Sequence, residues 1–265
     1  MGEHDDLEAA LEDLAAEGDY LDGVITGHHA DFDAPSASPG WSIGHQIGHL
    51  IWTDRVSTLA CRDKSGFARQ AEAFGADPER TIDAGAVMEA SGSVGDVLSS
   101  WRSARSGLIE ALRSVPAGYK IPWFGPSMTP STMASVRIME TWAHGLDITD
   151  VLHVSPSATN RLWHIADLGV HTRDFAFSLH GLRSPSAPFR IELEAPSGET
   201  WSWGPAGASD RITGSALDFC LLVTQRRHRV DLELTATPGT AASWLPIAQV
   251  FAGPAGAGRS ARERV

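Results

Sequence analysis

The sequence predicts an α+β protein: a helical bundle over residues 1–182, followed by a smaller α+β domain over residues 183–252. Apolar residues recur at helical spacing through the first two thirds of the chain. After His180-Gly181 the pattern changes to the alternation of apolar and charged residues that is typical of a half-buried strand. The 265 residues are 42% hydrophobic and 20% charged, which is enough apolar material for a packed core.

The helices of the first part are predicted from apolar residues that repeat every three or four positions, with breakers between them. Residues 36–40 (SASPG) and the Pro116–Gly118 segment are such breakers. Residues 64–86 are expected to form a loop with a short helix. The predicted helices are Asp6–Ala16, Trp41–Arg62, Ser93–Val115, Ser131–Val151 and Asn160–Leu179.

The second part is predicted to combine strands with one main helix. Phe189–Glu194 alternates as a strand, and the turn at residues 196–198 allows Glu199–Gly204 to pair back as a hairpin. Ile212–Gln225 is predicted as a helix and Arg229–Thr235 as a strand. Residues 253–265 hold almost nothing apolar and are expected to be a disordered tail.

Charge and composition exclude several classes of function. The chain carries 21 basic and 33 acidic residues, a formal net charge of -12, which disfavours binding to nucleic acid or to an anionic membrane. Two cysteines cannot build a disulfide scaffold. No apolar run approaches the roughly 18 residues of a membrane helix, and the acidic start lacks the features of a signal peptide. These observations predict a cytoplasmic protein. A small-molecule substrate and a monomeric or homodimeric state are further expectations.

The candidate metal ligands are His49, Glu140 and His144. Glu140 and His144 lie four positions apart, so they project from one face of a helix about one turn apart. Helical bundles build metal sites by directing such side chains inward from facing helices. Two imidazoles and one carboxylate are a ligand set of catalytic zinc and also suit nickel, iron or manganese. The alternatives are a buried histidine bonded to carbonyl oxygens and a surface ion pair between Glu140 and Arg137.

Three segments resemble the mycothiol-dependent maleylpyruvate isomerase family of the DinB-like (YfiT-like) metalloenzyme superfamily. WSIGHQIGHL at residues 41–50 is similar to its W-T/S…D/H-x-x-x-H-L element. RIMETWAHGLDI at residues 137–148 is similar to its R-x-x-E-x-x-x-H-x-x-D element. ITGSALDF at residues 212–219, leading to Gln225-Arg226, resembles the C-terminal G-x-A-x-D/L…G-R segment.

The resemblance implies a DinB-like four-helix bundle followed by a small α+β domain. It also implies that His49, Glu140 and His144 bind one divalent metal, usually zinc. The family's thiol is typically mycothiol, and Arg226 matches an arginine near the thiol site. Two departures stand out: His45 occupies a position that is often Asp, and Gln225 replaces the glycine before the arginine.

Further residues are candidates for catalysis or support. His45, one turn before His49, is a candidate acid or base or a fourth metal ligand, and Arg137 is a candidate for orienting Glu140 or for binding an anionic substrate group. Asp54 and Asp147 are candidate partners of the ligands or surface caps. The loop at residues 121–130 is either a cover over the site or a rigid connector.

Three functions fit this pattern. The first is a transferase or isomerase in which a divalent metal activates a small thiol toward an electrophile. The second is a thiol-independent enzyme in which the metal acts as a Lewis acid in cyclisation or hydrolysis of a specialised metabolite. The third is a non-catalytic metal-binding module.

Overall fold

A computed structural model describes residues 3–251, 253–256 and 258–261 and confirms the α+β class. The chain divides into two compact units, Met1–Pro156 and Ser157–Val265. The helices of the first unit are α1 (Glu3–Gly27), α2 (Ile43–Arg62), α3 (Lys64–Ala76), α4 (Pro78–Glu89), α5 (Val94–Arg113) and α6 (Pro130–Val151).

Helices α1, α2, α5 and α6 form the predicted four-helix bundle, because all four contribute to two successive apolar clusters. One cluster includes Leu11 of α1, Val56 of α2 and Ile138 of α6. The other includes Ile25, Ile47 and Ile148 of the same three helices. On α6 the first cluster extends to Ile138 and the second includes Ile148, and the stretch between them also carries buried apolar residues such as Met139 and Leu146.

The prediction of a loop with a short helix over residues 64–86 was wrong, because two helices follow α2 there. Asp63 caps α3 by accepting a hydrogen bond from the Gly66 amide, and Asp77 caps α4 by accepting one from the Arg80 amide. Both helices pack against α2. Helix α2 is therefore buried on nearly all sides.

The second unit contains α7 (Leu162–His171), α8 (Arg173–Leu179), β1 (Phe189–Glu194), β2 (Thr200–Trp203), β3 (Asp210–Ser215), α9 (Ala216–Val223), β4 (Thr235–Ala236) and α10 (Thr240–Trp244). Its strands form one sheet with the order β2-β1-β3-β4. The predicted hairpin is confirmed: β1 and β2 pair antiparallel, with Ile191 opposite Trp203. Strand β3 runs parallel to β1, and β4 pairs antiparallel with β3.

Two predictions for this unit need correction. The segment predicted as one helix from residue 212 begins as strand β3, and the helix starts only at Ala216, where Ser215 caps it through the Asp218 amide. The segment 229–235 is mostly not a strand. It starts with a 3₁₀ helix, Arg229–Asp231, because the Arg229 guanidinium donates to the carbonyl oxygens of Leu232 and Leu234 and so folds the segment around itself.

The boundary between the units also differs from the prediction. The first unit ends at Pro156, not at residue 182. Helix α7 belongs to the second unit because it packs tightly on α9: a Cβ atom added to Gly169 would lie only 3.0–3.2 Å from the side chains of Val223 and Phe219.

The predicted disordered tail falls partly outside the described residues, which omit 257 and 262–265. Its first residues are tied to the second unit, since Gln249 Nε2 donates to the carbonyl oxygens of Phe251, Gly253 and Pro254. Among the described residues, no helix is long and apolar enough to cross a membrane.

Candidate metal centre

The structure brings His49, Glu140 and His144 together in the first unit. One ligand atom from each lies within 4.8 Å of the others. Glu140 Oε2 is 3.3 Å from His49 Nε2 and 3.3 Å from His144 Nε2, and the two imidazole centroids are 4.4 Å apart. The three side chains therefore converge on one point between α2 and α6.

Local sequence fixes both helices. Ser42 caps α2 through a reciprocal capping box with His45, and Thr129 caps α6, in which Pro130 occupies the first turn. Glu140 and His144 lie between Ile138 and Ile148 on α6, and they share one helix face, as their four-residue spacing predicted. The side chains of Glu140 and His144 retain 18% and 15% exposure, so the cluster is open to solvent on one side.

Burial and mutual charge set the ionisation of the cluster. Burial, reinforced by the neighbouring His144, lowers the pKa of His49 to about 4, so His49 is neutral at pH 7. Burial also opposes ionisation of Glu140, but the hydrogen bonds and charges of His144 and His49 outweigh it and hold the pKa of that carboxyl well below its usual range. At neutral pH the cluster thus contains a carboxylate and at least one neutral imidazole.

This donor set fits a divalent cation. Two imidazole nitrogens and a carboxylate oxygen leave room for further ligands, as catalytic zinc sites do. Both Nε2 atoms face the same carboxylate oxygen, an arrangement that a shared cation satisfies. The remaining ring nitrogen of His144 is held at 2.6 Å by Gln46 Oε1, which is the kind of support that metal-bound histidines commonly have.

Two tryptophans flank the cluster. The ring centroid of Trp41 is 5.4 Å from that of His49 and 6.1 Å from that of His144, and the second pair is stacked. The ring centroid of Trp52 is 6.2 Å from that of His49. Trp41 is held in place by donation of its Nε1 hydrogen to Asp83 of α4 at 3.0 Å. These rings give the site aromatic walls.

The loop at residues 121–130 is a rigid connector. Ile121 and Met128 exchange two backbone hydrogen bonds of 2.8 and 2.9 Å. Phe124 stacks on Phe74 with 4.0 Å between centroids and on Trp52 with 6.3 Å. Its aromatic side chains therefore fill core space beside α2 and α3, which is the second of the two expected roles.

The other predicted residues have identifiable places. The His45 ring accepts the Ser42 amide at 3.1 Å and so completes the cap of α2; it is not part of the three-residue cluster. Arg137 is buried and donates from Nε to Asp54 at 3.0 Å. Asp147, also buried, accepts the Ser38 hydroxyl hydrogen at 3.2 Å. Asp54 and Asp147 are therefore not surface caps.

Arg226 lies just after α9 in the second unit, where its Nη1 donates to the Thr224 carbonyl at 2.9 Å. The preceding Gln225 has φ +56°, in the left-handed region that glycine favours. The backbone conformation that a glycine would adopt before this arginine is therefore kept despite the substitution.

Neither cysteine supplies a reactive thiolate. Burial raises the pKa of Cys61 to about 11 and places that of Cys220 well above its ordinary value. Any thiol chemistry at this site therefore requires a thiol from outside the chain.

Sequence reasoning missed Gln46, Ser36 and the position of Trp41. Gln46 lies between His45 and His49, but the sequence does not show which distant residue a buried amide on an apolar helix contacts. The available signal was its burial cost: a polar side chain in so apolar a helix needs a hydrogen-bonding partner.

Comparison with known proteins defines the class. Residues 4–149 match the model of the family described as mycothiol maleylpyruvate isomerase N-terminal domain, and the chain belongs to this family. Residues 185–236 match a second family model, described as wyosine base formation.

Individual relatives support this assignment. An uncharacterized protein of Mycobacterium tuberculosis, found in strains CDC 1551 and H37Rv, is 52% identical over 250 residues, which cover 94% of this chain and 97% of the relative. Among solved structures, the mycothiol-dependent maleylpyruvate isomerase and a histidine-to-alanine mutant of it match with a TM-score of 0.57. They are 15% identical to this chain, and the match covers 90% of it and 97% of theirs. This likeness shows a shared fold.

Proposed function

We propose that this chain is a metal-dependent enzyme, with zinc as the first candidate and nickel or iron as alternatives, that uses mycothiol as an isomerase or transferase. Its substrate would be an electrophilic small molecule. The observation that carries the proposal is the convergence of His49, Glu140 and His144 within 4.8 Å. Membership of the mycothiol maleylpyruvate isomerase N-terminal domain family supports the same activity.

The residues of the site account for the chemistry. A divalent ion bound there would lower the pKa of a thiol and so favour the thiolate at neutral pH. The low pKa of Glu140 and the neutral His49 keep this donor set ready for a cation. Trp41 and Trp52 limit the access of water beside the cluster, whereas the exposed side of Glu140 and His144 admits ligands. Arg226 is proposed to contact the thiol.

The first test is calorimetric titration of the zinc-loaded protein with mycothiol, with metal content measured in parallel. Saturable binding that disappears when the metal is chelated would support the proposal. Stoichiometric metal without thiol affinity would overturn the thiol part. Absence of metal would overturn the proposal as a whole.

Variants locate the site. The triple change His49→Ala, Glu140→Ala and His144→Ala should abolish zinc binding and leave most of the helicity. His45→Ala is a matched control, because His45 lies one turn before His49 and serves the helix cap. We expect it to cost about 1 kcal/mol in stability and to keep its zinc. Retained zinc in the triple variant, or loss in the control, would contradict this ligand set.

A thiol-independent Lewis-acid enzyme is the second candidate. The sequence around Arg226, Gln225-Arg226-Arg227, departs from the family's glycine-arginine pair, and residues 185–236 match a different family model. Arg226→Ala discriminates the two candidates: it should weaken mycothiol binding far more than zinc binding if the thiol is used. Equal thiol affinity in that variant favours the second candidate.

A purely structural metal site is disfavoured. Structural zinc normally has four protein ligands, and among the described residues the cluster offers three histidine or carboxylate side chains.

A further inference from the structure

Gln46 joins the candidate metal centre to the loop before α2. The side chain is fully buried on α2, one turn before His49. Its Oε1 lies 2.6 Å from His144 Nδ1, and its Nε2 donates to Ser36 Oγ at 2.8 Å. Ser36 Oγ in turn lies 2.9 Å from the Trp41 carbonyl oxygen.

The direction of each hydrogen bond follows from donors and acceptors. Ser36 Oγ has one hydrogen, which it donates to the Trp41 carbonyl, and it accepts from the Ser38 amide at 3.3 Å. It can therefore only accept from Gln46, which places the Gln46 NH₂ group toward Ser36 and the carbonyl oxygen toward His144. Because an amide oxygen only accepts, His144 Nδ1 must carry a hydrogen.

The hydrogen on Nδ1 determines that Nε2 is the ring nitrogen of His144 that can donate an electron pair. A neutral imidazole with its hydrogen on Nδ1 has a lone pair on Nε2. With a hydrogen on Nδ1, Nε2 is the ring nitrogen that can bind a cation, and it lies 3.3 Å from Glu140 Oε2. A cation bound between these two atoms would take the place of their direct contact.

His49 lacks such support. Its Nε2 also faces Glu140, but its Nδ1 is buried and has no hydrogen-bonding partner among the described residues. The chain therefore fixes one of the two imidazoles by a side-chain network and leaves the other to packing.

We infer that Gln46 is a positioning residue that holds His144 in the Nδ1–H form and so presents its Nε2 lone pair to a divalent cation, with Ser36 fixing the orientation of the Gln46 amide. The inference rests on the proposed metal-dependent function. Mutation of the residues that hydrogen-bond to metal-bound histidines commonly lowers metal affinity by roughly 10- to 100-fold.

The test combines zinc affinity with the tautomer of His144. Zinc affinity would be measured by competition with a chromophoric chelator. The tautomer would be read from the ¹⁵N chemical shifts of the imidazole in metal-free full-length protein, a readout independent of metal and of activity. The variants are Gln46→Leu, Gln46→Glu and Ser36→Ala. Gln249→Leu is the matched control, because Gln249 is a buried glutamine in the second unit.

In the wild-type protein we expect His144 to be in the Nδ1–H form. Gln46→Leu should shift His144 toward the Nε2–H form and weaken zinc binding about 10- to 100-fold. Gln46→Glu should restore both, since a carboxylate accepts the same hydrogen. Ser36→Ala should give a mixture of tautomers and an intermediate loss, and Gln249→Leu should match the wild type.

An unchanged tautomer, or zinc affinity within about twofold of the control, in Gln46→Leu would overturn the inference. If Gln46→Leu does not fold, Ser36→Ala decides by the same two criteria. If the wild-type protein binds no zinc, the proposed function fails, and the inference is then judged on the tautomers: an Nε2–H or mixed form in the wild type would overturn it.

Discussion

The charge on His49 depends on its burial, and this couples the stability of the first unit to pH. In the metal-free folded protein its pKa is lowered to about 4, with burial as the largest cause, whereas the unfolded chain has the ordinary value of 6.5. Above pH 6.5 both states are neutral and the full stability is present. As pH falls below 6.5, the unfolded state binds a proton first, so stability decreases until the folded side chain titrates near pH 4.

We therefore predict that metal-free protein loses stability between about pH 6.5 and 4, by about 3 kcal/mol from this histidine. Urea unfolding in the presence of a chelator at several pH values would measure it. His49→Gln is the control, because it removes this titration and leaves the other histidines. Parallel pH curves for the two proteins would contradict the lowered pKa.

Arg137 and Asp54 form an ion pair that is nearly inaccessible to solvent, with side chains 1% and 4% exposed. Arg137 Nη2 has no hydrogen-bonding partner among the described residues. Burial raises the pKa of Asp54 despite the favourable charge of Arg137, which shows how strongly desolvation acts at this position.

Removing one partner should therefore be costly. We expect Arg137→Met to destabilise the protein by about 3–5 kcal/mol, because Asp54 would remain buried without its cation. The double variant Arg137→Met, Asp54→Leu should recover most of this loss. Chemical unfolding measures the free energies of unfolding. Zinc content reports whether the metal site is intact. A double variant less stable than the single one would show that the pair itself contributes net stability.

At the scale of elements, α2 is held by close contact with α4. A Cβ atom on Gly48 would lie 2.2 Å from the Ala86 carbonyl oxygen, and one on Gly85 would lie 2.6 Å from Trp52. Glycine is required at these positions because the obstacles are backbone or a buried ring, neither of which can move freely.

We predict that Gly48→Ala destabilises the protein by about 1–3 kcal/mol, since the two helices must separate. Gly23→Ala is the matched control: Gly23 is an exposed position of α1 with nothing within 4 Å of an added Cβ atom. It should gain up to about 1 kcal/mol from helix propensity. Thermal unfolding of both variants checks the contrast, and a stabilised Gly48→Ala would show that α4 shifts without cost.

The helices that were predicted well are those whose apolar residues recur along one face. Helices α5 and α6 match their predicted segments within about two residues, the usual uncertainty of helix ends. Helices α3 and α4 were missed because they carry few apolar residues and bury little, and their caps at Asp63 and Asp77 were the available signal. Residues 212–215 were assigned to a helix because a parallel partner strand cannot be read from local alternation.

In the candidate site, too, the local spacing of residues could be read from the sequence, whereas contacts between distant residues could not. Glu140 and His144 share a helix, so their spacing placed them on one face, and the resemblance of residues 41–50 to a family motif implied His49. The supporting pairs join residues far apart in the chain, such as Arg137 with Asp54 and Gln46 with His144. No periodicity encodes which distant partner satisfies a buried polar group.

For the whole molecule, the three candidate ligands and Gln46 all lie within Met1–Pro156, whereas Arg226 lies in the second unit. We predict that a fragment of residues 1–156 folds, binds zinc with the affinity of the full chain and loses affinity for mycothiol. Circular dichroism, zinc competition and calorimetry test the three parts. A fragment that keeps thiol affinity would contradict the assignment of Arg226 to the thiol.

The arrangement of Trp41 beside His49 and His144 has an optical consequence. An indole whose ring lies 5.4 and 6.1 Å from the two imidazoles is close enough for its emission to be quenched by a paramagnetic ion such as Co²⁺ or Cu²⁺ at the cluster. The protein thus carries an intrinsic fluorescent reporter of site occupancy. The difference in fluorescence between the wild type and Trp41→Phe gives the emission of Trp41 apart from that of the other eight tryptophans. Metal occupancy of the site can then be followed in real time without an added dye.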